Sequence, residues 1–515
     1  MMESILTVLI LLPVAGALLC LALPLRNQRT VRWVALVVTT IEFILSAVMA
    51  GRFEVSGDFQ FVQKIPWIPE WAVTYSVGVD GISLFLILLT TLLAPVTVLC
   101  SWESITRGPR GFMVSLLITE GALVGVFAAT NLFLFYIFWE AVLIPMYFII
   151  GVWGTGRRVY SAIKFVLFTM LGSLLMLVGI IYLYVLTASQ MGSPSLDYEA
   201  LQGLVIPGNA QVLLFLAFAL SFVIKVPLFP FHTWLPDAHT DAPTAGSIVL
   251  AGVLLKMGGY GLVRFCIPLF PLAVPPLVPV ILFLSVFGII YGALMAMVQP
   301  DMKRLVAFSS VSHLGFVVLG IFALTSRSIT GGIIQMVNHG LSTGALFLLV
   351  GMLYDRRHSR MISDFGGVAR VVPRYTAVFV VVALASIGLP GLNGFVGEFL
   401  ILLGTFPVHP AAAATATVGV ILAAVYLLWL IERVFFGPLT HEENARLTDL
   451  IPREWVAVVP LVITMVWLGV YPKPILERIE PAVDKLVRRY EIAVNQTGKR
   501  EGPVEVWTMT IEEEN

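Results

Sequence analysis

Lys225 and Lys256 lie inside apolar stretches of bilayer length, LLFLAFALSFVIKVPLFPFHTW and AGSIVLAGVLLKMGGYGLVRF. An ionisable group at the centre of a membrane helix costs about 2.5 to 3.5 kcal/mol on insertion scales, so its presence there points to use. Two amines flanking one proline-broken loop predict a pathway for protons or ions. Other ionisable groups share that setting: Glu140 in LFLFYIFWEAVLIPMYFIIGVW, Glu120, Glu398, Glu42, His313 and His339. A buried carboxyl close to a lysine shares a proton with it, and moving either partner changes the proton affinity of the other. These types predict a relay from the Glu140/Lys225 pair to Lys256 and on to Glu398. Imidazole ordinarily titrates near neutrality, which suits relay duty, so His313 and His339 would stand between with ordered water. Ser309, Ser310, Ser312, Asn338 and Ser342 supply a polar seam beside the histidines. Glu120 is a supporting member, and Glu42 is expected to face lipid or a partner. The plain alternative for Glu140 and Lys225 is a static ion pair between helices.

The loop FPFHTWLPDAHTDAPTAGS adds His232, Asp237, His239 and Asp241. The side chains are of metal-ligating type, but their spacing fits no zinc pattern. A hydrogen-bonded re-entrant turn at the mouth of the pathway is expected instead, with His232 and His239 supporting the relay. Cys20, Cys100 and Cys266 are scattered among apolar residues and read as core. No glycine-rich phosphate loop or cysteine cluster occurs, so no metal, nucleotide, flavin or haem is expected in this chain.

Elements that position these groups follow from hydropathy. The 515 residues are 58% hydrophobic and 12% charged with zero net charge, and mean hydropathy is +0.95. That excludes an ordinary soluble domain and gives no reason to expect nucleic acid. Continuous apolar runs predict an all-α, polytopic membrane protein with about fourteen transmembrane helices. They fall near 3–25, 31–50, 79–101, 112–130, 132–154, 161–187, 210–228, 244–265, 273–298, 304–324, 329–354, 375–405, 413–437 and 454–472. The first run could pass for a signal peptide, but Met1, Met2, Glu3 and Ser4 are acidic rather than basic, which predicts a retained helix. With the N-terminus outside, eighteen Lys/Arg, Arg26 among them, fall in cytoplasmic loops against four (Arg52, Lys64, Arg264, Arg327) opposite. The tail beyond Tyr471 breaks this rule. It is expected to be a surface helix with a loose acidic end (Glu512, Glu513, Glu514) touching a partner or headgroups.

Two spans are interrupted. Pro227 and Pro230 break the helix of Lys225, leaving the carbonyls of Val223 and Val226 without their usual amide donors. SIGLPGLNG, with Pro390, splits the span that precedes Glu398. Broken spans in corresponding halves are the pattern of inverted-repeat transporters.

The segments IKVPLFPFHTWLPDAHTDAPTAGSIVLAGVLLKMGGYGLVRF, MKRLVAFSSVSHLGF, NHGLSTGALFLLVGMLYDR and GLPGLNGFVGEFLIL resemble the antiporter-like membrane subunits of respiratory complex I. They are similar to the subunit M type, the mitochondrial subunit 4 homologue, over roughly residues 80 to 440. The resemblance implies fourteen helices with helices 7 and 12 broken. It also implies two inverted five-helix repeats, at 112–265 (helices 4–8) and 273–437 (helices 9–13). Residues 1–111 would hold helices 1–3, and 438–515 helix 14 with the surface tail. Glu140 matches the helix-5 glutamate, Lys225 the helix-7 lysine, Lys256 the central helix-8 lysine and Glu398 the helix-12 acid. Sister subunits and Mrp-type relatives usually carry lysine at that last position. The implied function is proton translocation in NADH:quinone oxidoreductase, in the bacterial inner membrane. FMN, iron–sulfur clusters and quinone would reside in partner subunits, and subunits of the L and N types would be neighbours. Alternatives are the D-type component of a Mrp-type sodium/proton antiporter, a membrane-bound hydrogenase subunit, or a passive scaffold whose charges only lock helices.

Overall fold

Apolar runs of bilayer length become helices because lipid offers no partner for a backbone amide, and a helix satisfies its own. The computed structural model describes residues 4–24 and 27–498; Met1, Met2, Glu3, Arg26, Glu512, Glu513 and Glu514 lie outside the described residues. Among the described residues thirteen helices are long and apolar enough to cross a membrane. In chain order the first six are α1 (Ile5–Ala22), α2 (Gln28–Gly51), α3 (Gly81–Ser104), α4 (Pro109–Ala128), α5 (Leu132–Trp153) and α6 (Arg158–Met191). The seventh breaks into α7a (Gly208–Lys225) and α7b (Trp234–Asp241). Then come α8 (Thr244–Leu269), α9 (Pro271–Met297), α10 (Met302–Phe322) and α11 (Ser326–Arg357). Two short halves, α12a (Pro373–Ile387) and α12b (Asn393–Thr405), make the remaining span. α13 (Pro410–Phe435) and α14 (Pro452–Val470) complete the fourteen.

Burial sorts these helices by role. α8, α10 and α11 are enclosed on all sides, and they carry Lys256, His313 and His339. α6, α9 and α13 form part of the periphery, with exposed Leu171, Val178, Phe283 and Ile421 on the faces that hydrocarbon would cover.

Ion pairs test the predicted sidedness. Residues assigned to cytoplasmic loops pair among themselves: Lys164–Asp237 at 2.7 Å, Arg356–Glu454 at 2.6 Å, Arg360–Asp301 at 3.3 Å and Arg453–Glu103 at 2.8 Å. Lys64–Asp197 at 2.6 Å and the Lys485–Asp58 contact belong to the opposite end. Among the described residues no ion pair joins the two sets.

Two features depart from expectation. Between α2 and α3 an antiparallel hairpin forms, β1 (Gln60–Ile68) and β2 (Val73–Val79). Its signal was present in the β-branched and aromatic residues on either side of Pro69–Trp71. The tail is indeed helical, α15 (Lys473–Gly498), but its apolar face is covered by this chain. Ile475, Ile479, Ala482, Val483 and Leu486 are buried where α15 packs on α3 and α11. The fit is close enough that a Cβ on Gly81 would come within 1.8 Å of the Arg478 carbonyl.

Asp197 fastens the hairpin. It accepts from Lys64 at 2.6 Å, from Thr74 at 2.5 Å and from Asn131 at 2.8 Å. Burial pushes its carboxyl up, but bonds to Lys64, Thr74 and Asn131 outweigh that and hold it below the usual carboxylate range. A lowered folded value means the stabilisation is complete above about pH 3.9 and is lost as pH falls through that lowered value. Lys64 is half exposed, so the gain is modest. Deuterium exchange across residues 60–79 should therefore accelerate only below about pH 3.9. Asp197→Asn should show the faster exchange at neutral pH, with no further acid step.

Candidate functional site

α8 is α-helical except for two π turns, Leu250–Leu254 and Leu262–Cys266. Single π turns inside α-helices are concentrated at functional sites. Just past the first, Lys256 folds its amine back to the carbonyl of Ala251 and lies 2.7 Å from Nδ1 of His339 on α11. The amine is fully buried.

The His339 and His313 rings are 5.9 Å apart, centre to centre. His313 on α10 meets Oε1 of Glu398 at 2.8 Å through Nδ1, and Tyr426 on α13 is 3.3 Å from its Nε2. Gln335 donates to the same Glu398 oxygen at 3.0 Å. The break in α12 makes room for this carboxyl. Gly388 and Gly391 adopt φ of +86° and +90°, which glycine accepts without strain. A Cβ on Gly388 would sit 3.3 Å from Glu398 Oε2. Asn338 and Asn393 exchange side chain-to-carbonyl bonds at 2.7 and 3.1 Å, fixing the start of α12b to α11. Lys256, His339, His313 and Glu398 thus form one buried polar axis.

Lys225 and Glu140 flank that axis without touching. The Lys225 amine is buried with no hydrogen-bond partner, 4.9 Å from the Trp139 ring and 5.7 Å from that of Phe165. Glu140 is near enough to act on it electrostatically, yet no ion-pair contact forms between them, so the tight pair expected from sequence is open here. α7a and α8 pack tightly, since a Cβ on Gly258 would meet the Phe222 carbonyl at 2.4 Å.

At the helix-7 break the carbonyl that Pro227 deprives of its usual donor finds another. The Leu228 amide reaches the Val223 carbonyl at 2.9 Å, so that carbonyl is satisfied despite Pro227. His232 stacks on Phe229 and has a buried, unpartnered Nδ1. His239 stacks on Phe347 at 4.8 Å, and neither of its ring nitrogens has a partner. Asp237 pairs with Lys164 and Arg304, and Asp241 accepts from Ser161 at 2.6 Å.

Other placements also differ. Glu120 stands off the axis, facing Glu42 of α2. Glu42 is wholly buried, so it does not face lipid or a partner. Arg264, counted above as a loop charge, is buried in α8 and pairs with Asp80 at 2.6 Å. Tyr426 and Gln335 went unnoticed, because a hydroxyl and an amide cost too little in an apolar run to stand out.

Among the described residues fourteen spans, two of them broken, around a buried line of amine, imidazole and carboxyl groups define the class: a multi-pass integral membrane protein with a titratable interior. The family model described as "NADH:quinone oxidoreductase/Mrp antiporter, TM" matches residues 129–423, and the chain belongs to that family. It is 44% identical to NADH-quinone oxidoreductase subunit M of Rhodobacter capsulatus, covering 95% of this chain and 97% of the relative. Identity with NADH-ubiquinone oxidoreductase chain 4 of Marchantia polymorpha is 42%, over 93% and 96%. Among solved structures it matches a chain of respiratory complex I from Thermus thermophilus with bound NADH, with TM-score 0.86 and 33% identity over 94% of this chain and 99% of that one.

Proposed function

We propose that this chain is the M-type, proton-translocating membrane-arm subunit of a bacterial NADH:quinone oxidoreductase, and that its protons move along Glu140/Lys225, Lys256, His339, His313 and Glu398. The observation that carries it is the unbroken enclosure of the last four groups, with contacts of 2.7 Å at Lys256–His339 and 2.8 Å at His313–Glu398. Buried polar atoms without a protein partner are ordinarily satisfied by water. Lys225 Nζ, both His239 nitrogens, His339 Nε2 and Glu398 Oε2 are such atoms, which favours a hydrated route from Lys225 along the axis. His232 and Glu120 support from the side.

Redox chemistry, with FMN, iron–sulfur clusters and quinone, belongs on this account to partner subunits, and L- and N-type subunits are the membrane neighbours. Helices α4–α8 and α9–α13 act as inverted repeats, the fourth helix of each being broken by Pro227/Pro230 or by Pro390. Energy arrives as a change in the separation of Glu140 and Lys225. Moving one charge against 100 mV needs about 2.3 kcal/mol, within what a charge pair in a partly dry interior supplies.

Glu140→Gln tests this. In proteoliposomes of the whole complex, NADH-driven proton uptake should fall on the order of a hundredfold. Native electrophoresis should still show the assembled complex, and NADH oxidation by a soluble acceptor should be unchanged. Uptake at the wild-type rate would rule out the relay.

A further inference from the structure

α2 and α14 each pack on α3, and between them lies a groove of about 390 Å³ whose lining includes Phe43, Ala47, Gly51, Leu92 and Leu341. α15 closes one end with Pro474, Ile475 and Arg478. Apart from the indole of Trp467, only Thr464 and Arg478 bring polar side-chain atoms to it. The Thr464 hydroxyl already donates to the Pro460 carbonyl at 2.7 Å. Walls this apolar do not hold ordered water. Ala47 and Gly51 are exposed, and so are their helical neighbours Ile44 and Val48, with Ile463 and Trp467 across the groove on α14. The groove therefore opens toward hydrocarbon. From Phe43 to Gly51 it follows α2 for about 12 Å, close to the depth of one leaflet in a core about 30 Å thick. Those dimensions suit a single acyl chain.

The end of the groove away from the cytoplasm is basic. Arg478 gives one N–H to its own helix, at the Pro474 carbonyl 2.7 Å away, while its Nε is buried and has no protein partner. Among the described residues no carboxylate pairs with it. Glu477, its neighbour in the chain, is taken by Lys473 at 3.4 Å. Arg52 directly follows Gly51 at the same end. Trp467, 46% exposed, sits three residues before the end of α14, where indoles ordinarily mark the headgroup level. A guanidinium donor without an acceptor, closing an apolar groove, fits an anionic oxygen joined to a hydrocarbon tail.

We propose that this groove binds one anionic phospholipid of the leaflet away from the cytoplasm. An acyl chain fills the groove and Arg478 holds the phosphate, with Arg52 beside it. The chain lies against Val337 and Leu341 of α11, on either side of His339 in sequence. The lipid thus belongs to the packing behind α11, and the site stands whether or not protons pass His339.

A photoreactive lipid tests it on the whole complex, in nanodiscs of phosphatidylcholine with a trace of phosphatidylglycerol bearing a diazirine near the end of one acyl chain. After illumination, peptide mass spectrometry should place adducts at the deep end of the groove, on Phe43, Leu92 and Leu341. The same diazirine on phosphatidylcholine should give roughly fivefold fewer. Arg478→Gln should abolish that preference, and Ala47→Phe, which fills the groove, should cut labelling by both probes. Equal labelling by the two headgroups overturns the proposal, as does an undiminished preference in Arg478→Gln. So does displacement of the probe by an isoprenoid quinone but not by unlabelled phosphatidylglycerol. The headgroup comparison uses the unaltered complex, so it decides even where a variant fails to assemble.

Discussion

Replacing Lys256 by Ala should lower NADH-driven proton uptake on the order of a hundredfold while the complex still assembles. The amine is one end of the axis, held by Ala251 and by His339 at 2.7 Å, and α8 carries no other lysine or histidine. Lys256→Arg discriminates further. Guanidinium keeps the positive charge but does not release its proton at physiological pH. If Lys256 merely locks α8 to α11, arginine should restore uptake in an assembled complex. If it passes protons, arginine should fail nearly as badly as alanine, with NADH oxidation by a soluble acceptor unaffected in both. Quenching of a pH-sensitive dye in proteoliposomes reads the difference, and wild-type uptake by the arginine variant would remove Lys256 from the route.

Lys256, Lys225 and Glu398 were legible in the sequence because an ionisable group in an apolar run is conspicuous. The breaks in helices 7 and 12 were legible because proline and glycine disrupt the hydrogen-bond ladder wherever they occur. Partnerships were not. That His339 meets Lys256 while His313 meets Glu398 depends on how α8, α10, α11 and α12b cross, which no local pattern encodes. Glu42 was misplaced although Thr39, Glu42 and Ser46, all buried, mark a polar stripe at helical spacing. In an otherwise apolar helix that stripe points inward, the reverse of the rule for a soluble surface helix. Arg264 was assigned to a loop because it sits near the end of its apolar run, and its partner Asp80 lies 184 positions away.

Arg264→Met should be the most damaging single change to stability. Arg264 and Asp80 are each 5% exposed and 2.6 Å apart, and the guanidinium is ringed by Phe59, Tyr198 and Tyr260 at 4.9, 5.5 and 5.3 Å. Asp80 also caps α3, accepting from the amides of Ile82 and Ser83 at 3.1 Å. Deleting one partner leaves an uncompensated buried charge, costing about 3 to 5 kcal/mol, whereas exchanging both for uncharged groups is often nearly neutral. Arg264→Met should therefore deplete assembled complex on native gels and lower its melting temperature in detergent. Asp80→Asn with Arg264→Met, which keeps a capping side chain, should recover most of that loss. Equal instability of single and double variants would show that the ring of aromatics, not the ion pair, holds this end of α8. The distinction matters for the axis. Neighbours fit closely against Gly252, Gly258, Gly259 and Gly261, where an added Cβ would come within 2.5 Å of Leu93, Phe222 or Met336, so α8 keeps that fit only in one register and gains from an anchor beyond it. A 2.6 Å ion pair to the cap of α3 supplies one, and it holds the register in which the Lys256 amine meets His339.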